Sequence, residues 1–216
     1  LLSKYSISVL ISRDSSLVGR EVTDTSATFP FKHTHDGSTV YGTLGEHATI
    51  LAIQKAFKDG DRSFVVYHNS IADSKRFADM VTQVIGIPTG HIDGTMSVSD
   101  RDKIIGRLDD GKVSKLGFIV SNDNVLSEGV DIPTLDAVVF AASVGSVGVA
   151  IQRIGRALRK AEGKTHGRII CPVVLAEAAF KFGDGETFDA SNAYMLGEIG
   201  KQDGRFKTIA TVFAAM

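Results

Sequence analysis

The sequence predicts an α/β fold in which a mostly parallel sheet is flanked by helices, with further helices near the C-terminal end. Short apolar runs of strand length alternate with amphipathic helical segments over residues 1–174, which is typical of crossover units in a parallel sheet. The apolar run at Arg168–Val174 is unbroken, which indicates a strand buried on both faces. The 216 residues, 43% of them hydrophobic, suffice for one ordinary domain with a full core.

Six strands are predicted from short apolar or alternating runs that are bounded by polar and turn-forming residues. Lys4–Ile11 alternates apolar and polar side chains, and Ser63–Tyr67 contains the run Phe-Val-Val-Tyr. The other predicted strands are Pro88–Ile92, Leu116–Ser121, Ala137–Ala141 and Arg168–Val174. Ligands bind a sheet of this kind at the carboxyl ends of its strands, so the loops that follow the strands are the expected site.

Each predicted helix begins after a polar residue that can cap its first N–H groups. Thr43 and Glu46 have the spacing of a capping box, and the helix that they begin is expected to end near Phe57. Ser70 precedes a helix over Ile71–Ile85. The remaining predicted caps are Ser97 or Ser99, for a helix that runs to Leu108, and Ser146, for a helix that holds the basic stretch Val149–Lys164.

Two segments lie outside this regular alternation. Residues 12–42 are polar and turn-rich, so an irregular excursion is expected there, and its His33 and His35 lack the partners that a metal site needs. Residues 175–216 are predicted to form a C-terminal helical extension. Its apolar stripe consists of Phe206, Ile209, Val212 and Phe213. Ordinary core packing is the expected role of this stripe, and binding of a partner is the alternative.

The overall charge gives no argument for nucleic-acid binding, because the net charge is −1. A nucleic-acid surface must therefore be a local patch, and one window of the sequence is rich in basic residues. They are Arg153, Arg156, Arg159, Lys160, Lys164 and Arg168. The single cysteine, Cys171, excludes an internal disulfide and a cysteine zinc site, and we expect it in the core.

The sequence contains no apolar run long enough to span a membrane and no signal peptide at its start. We therefore expect a cytoplasmic protein without a membrane partner. The chain begins at Leu1 without a methionine and ends within an apolar helical segment, so we expect it to be part of a longer protein.

The basic stretch contains a Q-x-x-G-R-x-x-R pattern formed by Gln152, Gly155, Arg156 and Arg159. On a helix, the glutamine and the two arginines share one face, where guanidinium groups suit the charge of a phosphate chain. Gly155 costs the helix up to about 1 kcal/mol relative to alanine, which favours a close approach by another group at that point. The alternative is a solvated basic helix.

A second stretch, Val120–Pro133, reads Val-Ser-Asn-Asp-Asn-Val-Leu-Ser-Glu-Gly-Val-Asp-Ile-Pro. The two stretches, in this order, resemble motifs V and VI of superfamily 2 helicases. The region Tyr5–Val174 is similar to the second RecA-like, or helicase C-terminal, domain of these proteins. Within the superfamily it looks most like the bacterial, phage and plasmid helicases related to type I and type III restriction subunits. The resemblance implies a RecA-like three-layer fold over residues 1–174.

The resemblance also implies roles for particular residues. Arg156 and Arg159 are expected to reach the γ-phosphate of ATP as arginine fingers, and Gln152 to couple that site to the nucleic acid. Gly129 and Asp131 are expected to contact the nucleotide. The residues expected to face the nucleic-acid backbone are Ser70, Gly94, Ser121 and Asn122. The chain departs from the family at Asp123, where many members have a phosphate-binding threonine, and this puts the nucleic-acid contacts of motif V in question.

The sequence lacks a G-x-x-x-x-G-K-[ST] phosphate loop, and no Asp-Glu pair follows an apolar strand to hold magnesium. This chain alone is therefore expected not to hydrolyse ATP. ATP with Mg²⁺ would be bound mainly by the N-terminal RecA-like domain of the same protein. The other expected partners are nucleic acid, with DNA favoured over RNA, and a restriction or modification subunit.

Two alternatives remain. The chain could be a non-catalytic RecA-like module that binds nucleic acid or a protein, since the missing phosphate loop fits that function equally well. A nucleotide-sugar or dinucleotide enzyme on a similar sheet would need a G-x-G-x-x-G turn after the first strand, and the sequence has none there.

Overall fold

The computed structural model describes residues 4–11, 28–32, 39–123, 125–127, 132, 134–162, 164–173 and 206–214. The described strands are β1 (Lys4–Ile11), β2 (Thr28–Lys32), β3 (Thr39–Thr43), β4 (Ser63–Tyr67), β5 (Thr89–Ile92), β6 (Phe118–Asn122), β7 (Ala137–Phe140) and β8 (His166–Val173). The described helices are α1 (Leu44–Lys58), α2 (Ile71–Ile85), α3 (Val98–Val113), α4 (Val147–Ala157) and α5 (Lys207–Ala214), and a short 3₁₀ turn lies at Val125–Ser127.

Six strands form the central sheet in the order β1-β8-β7-β4-β6-β5, and every neighbouring pair is parallel. Successive residues of β4 point to opposite faces, as the pleat of a strand requires. Phe64 and Val66 pack with residues of α1 and α2, whereas Val65 and Tyr67 pack with residues of α3, α4 and α5. Helices therefore cover both faces of the sheet, and the predicted α/β fold with a mostly parallel sheet is confirmed.

The predicted N-caps are confirmed, because each depends on residues that are close in sequence. Glu46 N donates to Thr43 Oγ1 at 3.2 Å and Thr43 N donates to Glu46 Oε2 at 2.6 Å, which completes the capping box. The hydroxyls of Ser70, Ser97 and Ser146 accept from N–H groups in the first turns of α2, α3 and α4.

The prediction of an irregular segment over residues 12–42 is wrong for its described parts. β2 pairs with β3 in a two-stranded antiparallel sheet, in a register that joins Thr28 to Thr43 and Lys32 to Thr39. Residues 12–27 and 33–38 lie outside the described ranges. Each of these strands is only five residues long and contains a proline or a glycine, residues that weaken a strand signal, so the sequence pattern did not predict the pairing.

The basic helix is shorter than predicted: α4 ends at Ala157, with Leu158 as its C-cap, instead of continuing to Lys164. Lys164 Nζ donates to Ala157 O at 2.7 Å, so a side chain from beyond the helix satisfies one of its terminal carbonyls. Burial lowers the pKa of Lys164 to about 8. A Cβ on Gly167 would lie 2.0 Å from Ala157 O, so only glycine lets β8 approach this helix end.

Helix α5 belongs to the same core as the sheet. Phe206, Ile209 and Val212 are buried in the hydrophobic cluster that also contains Ile154 of α4, and α5 packs against α4. The predicted packing of these three stripe residues in the core is therefore confirmed. The side chain of Phe213 and residues 174–205 lie outside what the structure describes.

Candidate functional site

The loops that follow β4, β5, β6 and β7 leave the sheet along one edge. These four strands are adjacent and parallel, and their last residues are in register: Tyr67 pairs with both Phe140 and Asn122, and Ile92 pairs with Asn122. The N-terminus of α2 follows β4 directly, and α4 follows β7. The residues that sequence reasoning selected therefore lie on elements that meet at the carboxyl edge of the sheet.

Two arginines of α4 are buried at this edge. Arg153 is 2% exposed, and its guanidinium carbon lies 4.4 Å from the centre of the Tyr67 ring. Tyr67 in turn stacks on Phe140, with ring centres 5.9 Å apart. Arg156 is 6% exposed. Burial raises the pKa of Tyr67 to about 12 despite the opposing effect of the two arginines, so the hydroxyl stays neutral beside their positive charge.

The predicted common face of the basic helix is only partly present. Gln152 and Arg156 are both on α4, but Gln152 is exposed and Arg156 is buried. Arg159 is exposed and lies beyond the C-cap Leu158, so it is not part of the helix. The early end of α4 thus separates Arg159 from the other two residues, and its position depends on the chain that leads into β8.

Gly155 faces open space. A Cβ built there would find no atom of the described residues within 4 Å, outside the helix's own nearby backbone. Nothing in the described fold therefore requires glycine at this position. Within the part of the chain that the structure describes, no side chain occupies the surface of α4 at Gly155.

The loop after β4 begins with a buried histidine. His68 is 5% exposed, and its ring centre lies 4.9 Å from that of Phe77. Its backbone N–H donates to Asn122 O at 2.8 Å, which ties the ends of β4 and β6 together. Among the described residues, its Nε2 has no hydrogen-bond partner. Ser70 is half-buried, and its hydroxyl accepts from Asp73 N and donates to Asp73 Oδ2.

The unfolding free energy is expected to fall as the pH drops from about 6.5 to about 4. Burial lowers the pKa of His68 from its ordinary value of 6.5 to about 4, so the unfolded state binds more protons in this window. The expected loss is about 3 kcal/mol between neutral pH and pH 4. Urea unfolding at a series of pH values measures it. His68→Phe removes the titrating group while keeping an aromatic ring against Phe77, and it should flatten this slope; equal slopes would contradict the assignment.

Gly94 is exposed in the turn after β5, as expected for a contact residue. A Cβ on Gly94 would only make ordinary contact with Val125, at 3.7 Å. The turn is shaped by Asp93, whose carboxylate accepts from the N–H and hydroxyl of Thr95. These bonds, with those from His91 and Lys75, hold the pKa of Asp93 well below its usual range, so the carboxylate is ionised.

Ser121 and Asn122 are fully buried, which differs from the expectation that their side chains face a nucleic acid. Ser121 Oγ donates to Ser74 O at 2.9 Å, and Asn122 Nδ2 donates to Val66 O at 3.0 Å. Ser121 lies within the predicted strand, and β6 extends one residue further to Asn122, so both residues belong to the sheet. Gly129 and Asp131 lie outside the described residues.

Sequence reasoning missed three further polar residues at this edge. Arg153 stacks on Tyr67, and its signal was present, because it precedes Arg156 by one helical turn in the same basic window. Ser74 and His91 are hydrogen-bonded to each other across two elements, and the sequence carried no signal for that pair. The described residues contain no group of three or more histidine, cysteine, aspartate or glutamate side chains placed to hold a metal ion.

Residues 48–161 match the family model described as the helicase conserved C-terminal domain. Over 85 residues the chain is 31% identical to IRC3 of Saccharomyces cerevisiae, a protein named as an ATP-dependent helicase. That alignment covers 39% of this chain and 12% of the yeast protein. The chain thus spans only a small part of the length of this relative.

Solved structures with a similar fold include two restriction enzymes. The ATP-dependent Type ISP restriction-modification enzyme LlaBIII, bound to DNA, superposes on 98% of this chain and 14% of its own, with a TM-score of 0.65 and 23% identity. A fragment of an HsdR subunit of a type I restriction enzyme from Vibrio vulnificus YJ016 covers 79% of this chain and 32% of its own, with a TM-score of 0.54 and 18% identity. At these identities the likeness supports the fold alone.

None of the helices in the described ranges combines the length and apolar character needed to cross a membrane.

Proposed function

The chain belongs to the helicase conserved C-terminal domain family, and we propose that it is the second motor domain of an ATP-dependent nucleic-acid helicase or translocase. The observation that carries this proposal is the position of α4. Arg153 stacks on Tyr67 at the carboxyl end of β4, the charge of Arg156 also acts on that ring, and no described residue fills the helix surface at Gly155. A phosphate chain presented by another domain can approach that surface.

The roles of this chain and of the N-terminal domain follow from the functional groups that this chain contains and lacks. ATP with Mg²⁺ supplies the phosphoryl group and is held mainly by an N-terminal RecA-like domain, because this sequence has no phosphate loop. Arg156 and Arg159 supply positive charge that stabilises the transferring phosphoryl group. Gln152, exposed on α4 one helical turn before Arg156, couples the nucleotide site to the nucleic-acid site. Gly129 and Asp131 contact the nucleotide.

Nucleic acid binds along the loops at the carboxyl edge of β4, β5 and β6. Ser70 and Gly94 face the backbone of the strand, while Ser121 and Asn122 act from inside the sheet by holding the end of β6 to α2 and to β4. Contacts of this kind do not read the base sequence. DNA is the favoured substrate, and a restriction or modification subunit the favoured protein partner, because the chain resembles restriction-enzyme motor subunits.

A non-catalytic module that binds nucleic acid or protein is the second candidate. The observation in its favour is the missing phosphate loop, which leaves the chain without the groups that cradle a triphosphate. This candidate predicts nucleic-acid binding that falls with salt, because phosphate contacts displace counterions, and it predicts no ATP turnover in any longer form of the protein.

ATP hydrolysis is expected only from a longer protein that contains this chain together with a first motor domain, and single-stranded DNA should stimulate it. The chain alone should show no turnover, because the groups that activate water are absent from its sequence. Steady-state assays of both forms, with and without DNA, measure this. If neither form hydrolyses ATP while the chain still binds DNA, the motor function is rejected in favour of the binding module.

A further inference from the structure

A chain of hydrogen bonds joins α2, β6 and the turn after β5, and His91 lies at its centre. His91 Nδ1 is 2.8 Å from Ser74 Oγ, and His91 Nε2 is 3.0 Å from Asp93 Oδ2. Ser74 Oγ also lies 2.9 Å from Ser121 Oγ. Asp93 Oδ1 accepts from the N–H and the hydroxyl of Thr95, at 2.9 and 2.5 Å. Three segments that surround the proposed nucleic-acid site are therefore linked through one imidazole.

The order of groups is that of a serine–histidine–carboxylate triad, but the arrangement does not serve nucleophilic catalysis. In a catalytic triad the hydroxyl bonds Nε2 and the carboxylate bonds Nδ1, and here the two nitrogens are exchanged. Ser74 is also fully buried, and its hydroxyl is shared with Ser121. No substrate carbonyl can reach it, so the chain of bonds links structural elements instead.

The direction of donation can be assigned by counting protons. Asp93 is ionised and only accepts, so His91 Nε2 must donate to it. In the neutral imidazole Nδ1 then accepts, and Ser74 Oγ must donate to it. The single proton of Ser121 Oγ is then shared between the backbone oxygen and the Oγ of Ser74, which both lie 2.9 Å away. Every polar atom along the path has a partner, and such satisfied buried networks fix the geometry of the elements that they join.

The buried members of the network are shielded from water, and an exposed lysine forms an ion pair with its carboxylate. Ser74 and Ser121 are 0% exposed and Asp93 is 2% exposed, so these bonds compete little with solvent. The exposed Lys75 Nζ lies 3.2 Å from Asp93 Oδ2 and neutralises charge that would otherwise repel a phosphate near Gly94. The turn can thus approach an anionic strand only while Asp93 is held by these partners.

We propose that His91 is a positioning residue for nucleic-acid binding, which fixes the turn that contains Gly94 relative to α2 and the end of β6. This inference rests on the proposed function, because it assumes that these segments contact the strand. His91 does not contact the strand itself. It acts by holding Asp93, and through Asp93 the Thr95 backbone, in place relative to α2.

The test is DNA-stimulated ATP turnover in the longer protein that contains a first motor domain. His91→Leu removes both bonds and should raise the half-saturating concentration of a single-stranded oligonucleotide roughly tenfold, while the KM for ATP changes less than about twofold. Ser74→Ala removes the hydroxyl that bonds His91 Nδ1 and so interrupts the same hydrogen-bond network, with little risk to the fold. The double variant should be no worse than His91→Leu alone, because the histidine variant already lacks the bond that Ser74→Ala removes.

His166→Leu is the matched control. His166 also pairs with a buried aspartate, Asp61 at 3.3 Å, but it lies at the opposite edge of the sheet, and its loss should not change the half-saturating DNA concentration. If the wild-type protein is stimulated by DNA and His91→Leu and Ser74→Ala match it, the positioning role is overturned while the motor function stands. If DNA does not stimulate the wild-type protein, the proposed function fails and this inference fails with it.

Discussion

Replacing Arg156 by alanine should lower ATP turnover about 1,000-fold or more in a protein that joins this chain to a first motor domain. An arginine finger stabilises charge that develops on the transferring phosphoryl group, so its loss reduces kcat at saturating ATP and nucleic acid. Arg156 suits this role because α4 holds it at the carboxyl edge of the sheet, beside Tyr67 and the open surface at Gly155. Steady-state kinetics measure the loss.

Two further variants separate a specific role of Arg156 from a general effect of positive charge. Lys160→Ala removes an exposed charge from the same basic window and should leave turnover close to wild type. Arg156→Lys keeps the charge but loses the planar fork, so it should behave more like the alanine variant than like wild type. Thermal unfolding shows whether each variant keeps its fold, since Arg156 is buried. Normal turnover in a folded Arg156→Ala protein would falsify the finger assignment.

Local sequence signals predicted most of the fold. The six strands of the central sheet and the caps of α1, α2, α3 and α4 could be predicted because alternation and N-cap chemistry depend on residues within a few positions of each other. The order of motifs V and VI predicted the family, and the match of residues 48–161 confirms that recognition.

The features that the sequence did not predict depend on contacts between distant residues. The end of α4 depends on Gly167 and Lys164 meeting Ala157 O, and residues within the helix itself do not signal that end. The length of α3 likewise depends on packing, because a Cβ on Gly111 would lie 2.7 Å from the backbone at Gly117. The hydrophobic periodicity of a helix does not encode either of these contacts, so it cannot predict where α3 and α4 end.

The sequence indicated which loops and basic residues belong to the candidate site, but not the side-chain contacts that join them. The basic window and the loop positions could be found from residue types at fixed spacing. The stacking of Arg153 on Tyr67 and the bond between His91 and Ser74 join residues 86 and 17 positions apart, which only the strand order brings together. The family resemblance implies that Ser121 and Asn122 face a nucleic acid, but β6 runs through both residues and their side chains are buried.

Two glycines near the C-terminal end of α4 should respond in opposite directions to the same substitution. Gly167→Ala places a Cβ 2.0 Å from the backbone oxygen of Ala157, and the strand or the helix must move. The expected loss of stability is about 3 kcal/mol, or roughly 10 °C in Tm. Gly155→Ala adds a methyl group in open space on a helix, and it should stabilise the chain by up to about 1 kcal/mol. Thermal and urea unfolding of this chain measure both changes.

Gly155→Ala also tests function, because the expected loss of ATP turnover is opposite in direction to the expected gain in stability. If the open surface of α4 admits the nucleotide and the first motor domain, Gly155→Ala should reduce ATP turnover in the longer protein although the domain is more stable. Gly106→Ala is the matched control, because Gly106 also lies within a helix, and no atom of the described residues outside the nearby backbone of α3 is within 4 Å of its Cβ position. The control should gain similar stability and keep its turnover. Equal turnover in both variants would mean that nothing approaches α4 at Gly155, and the glycine would then have no role in the motor.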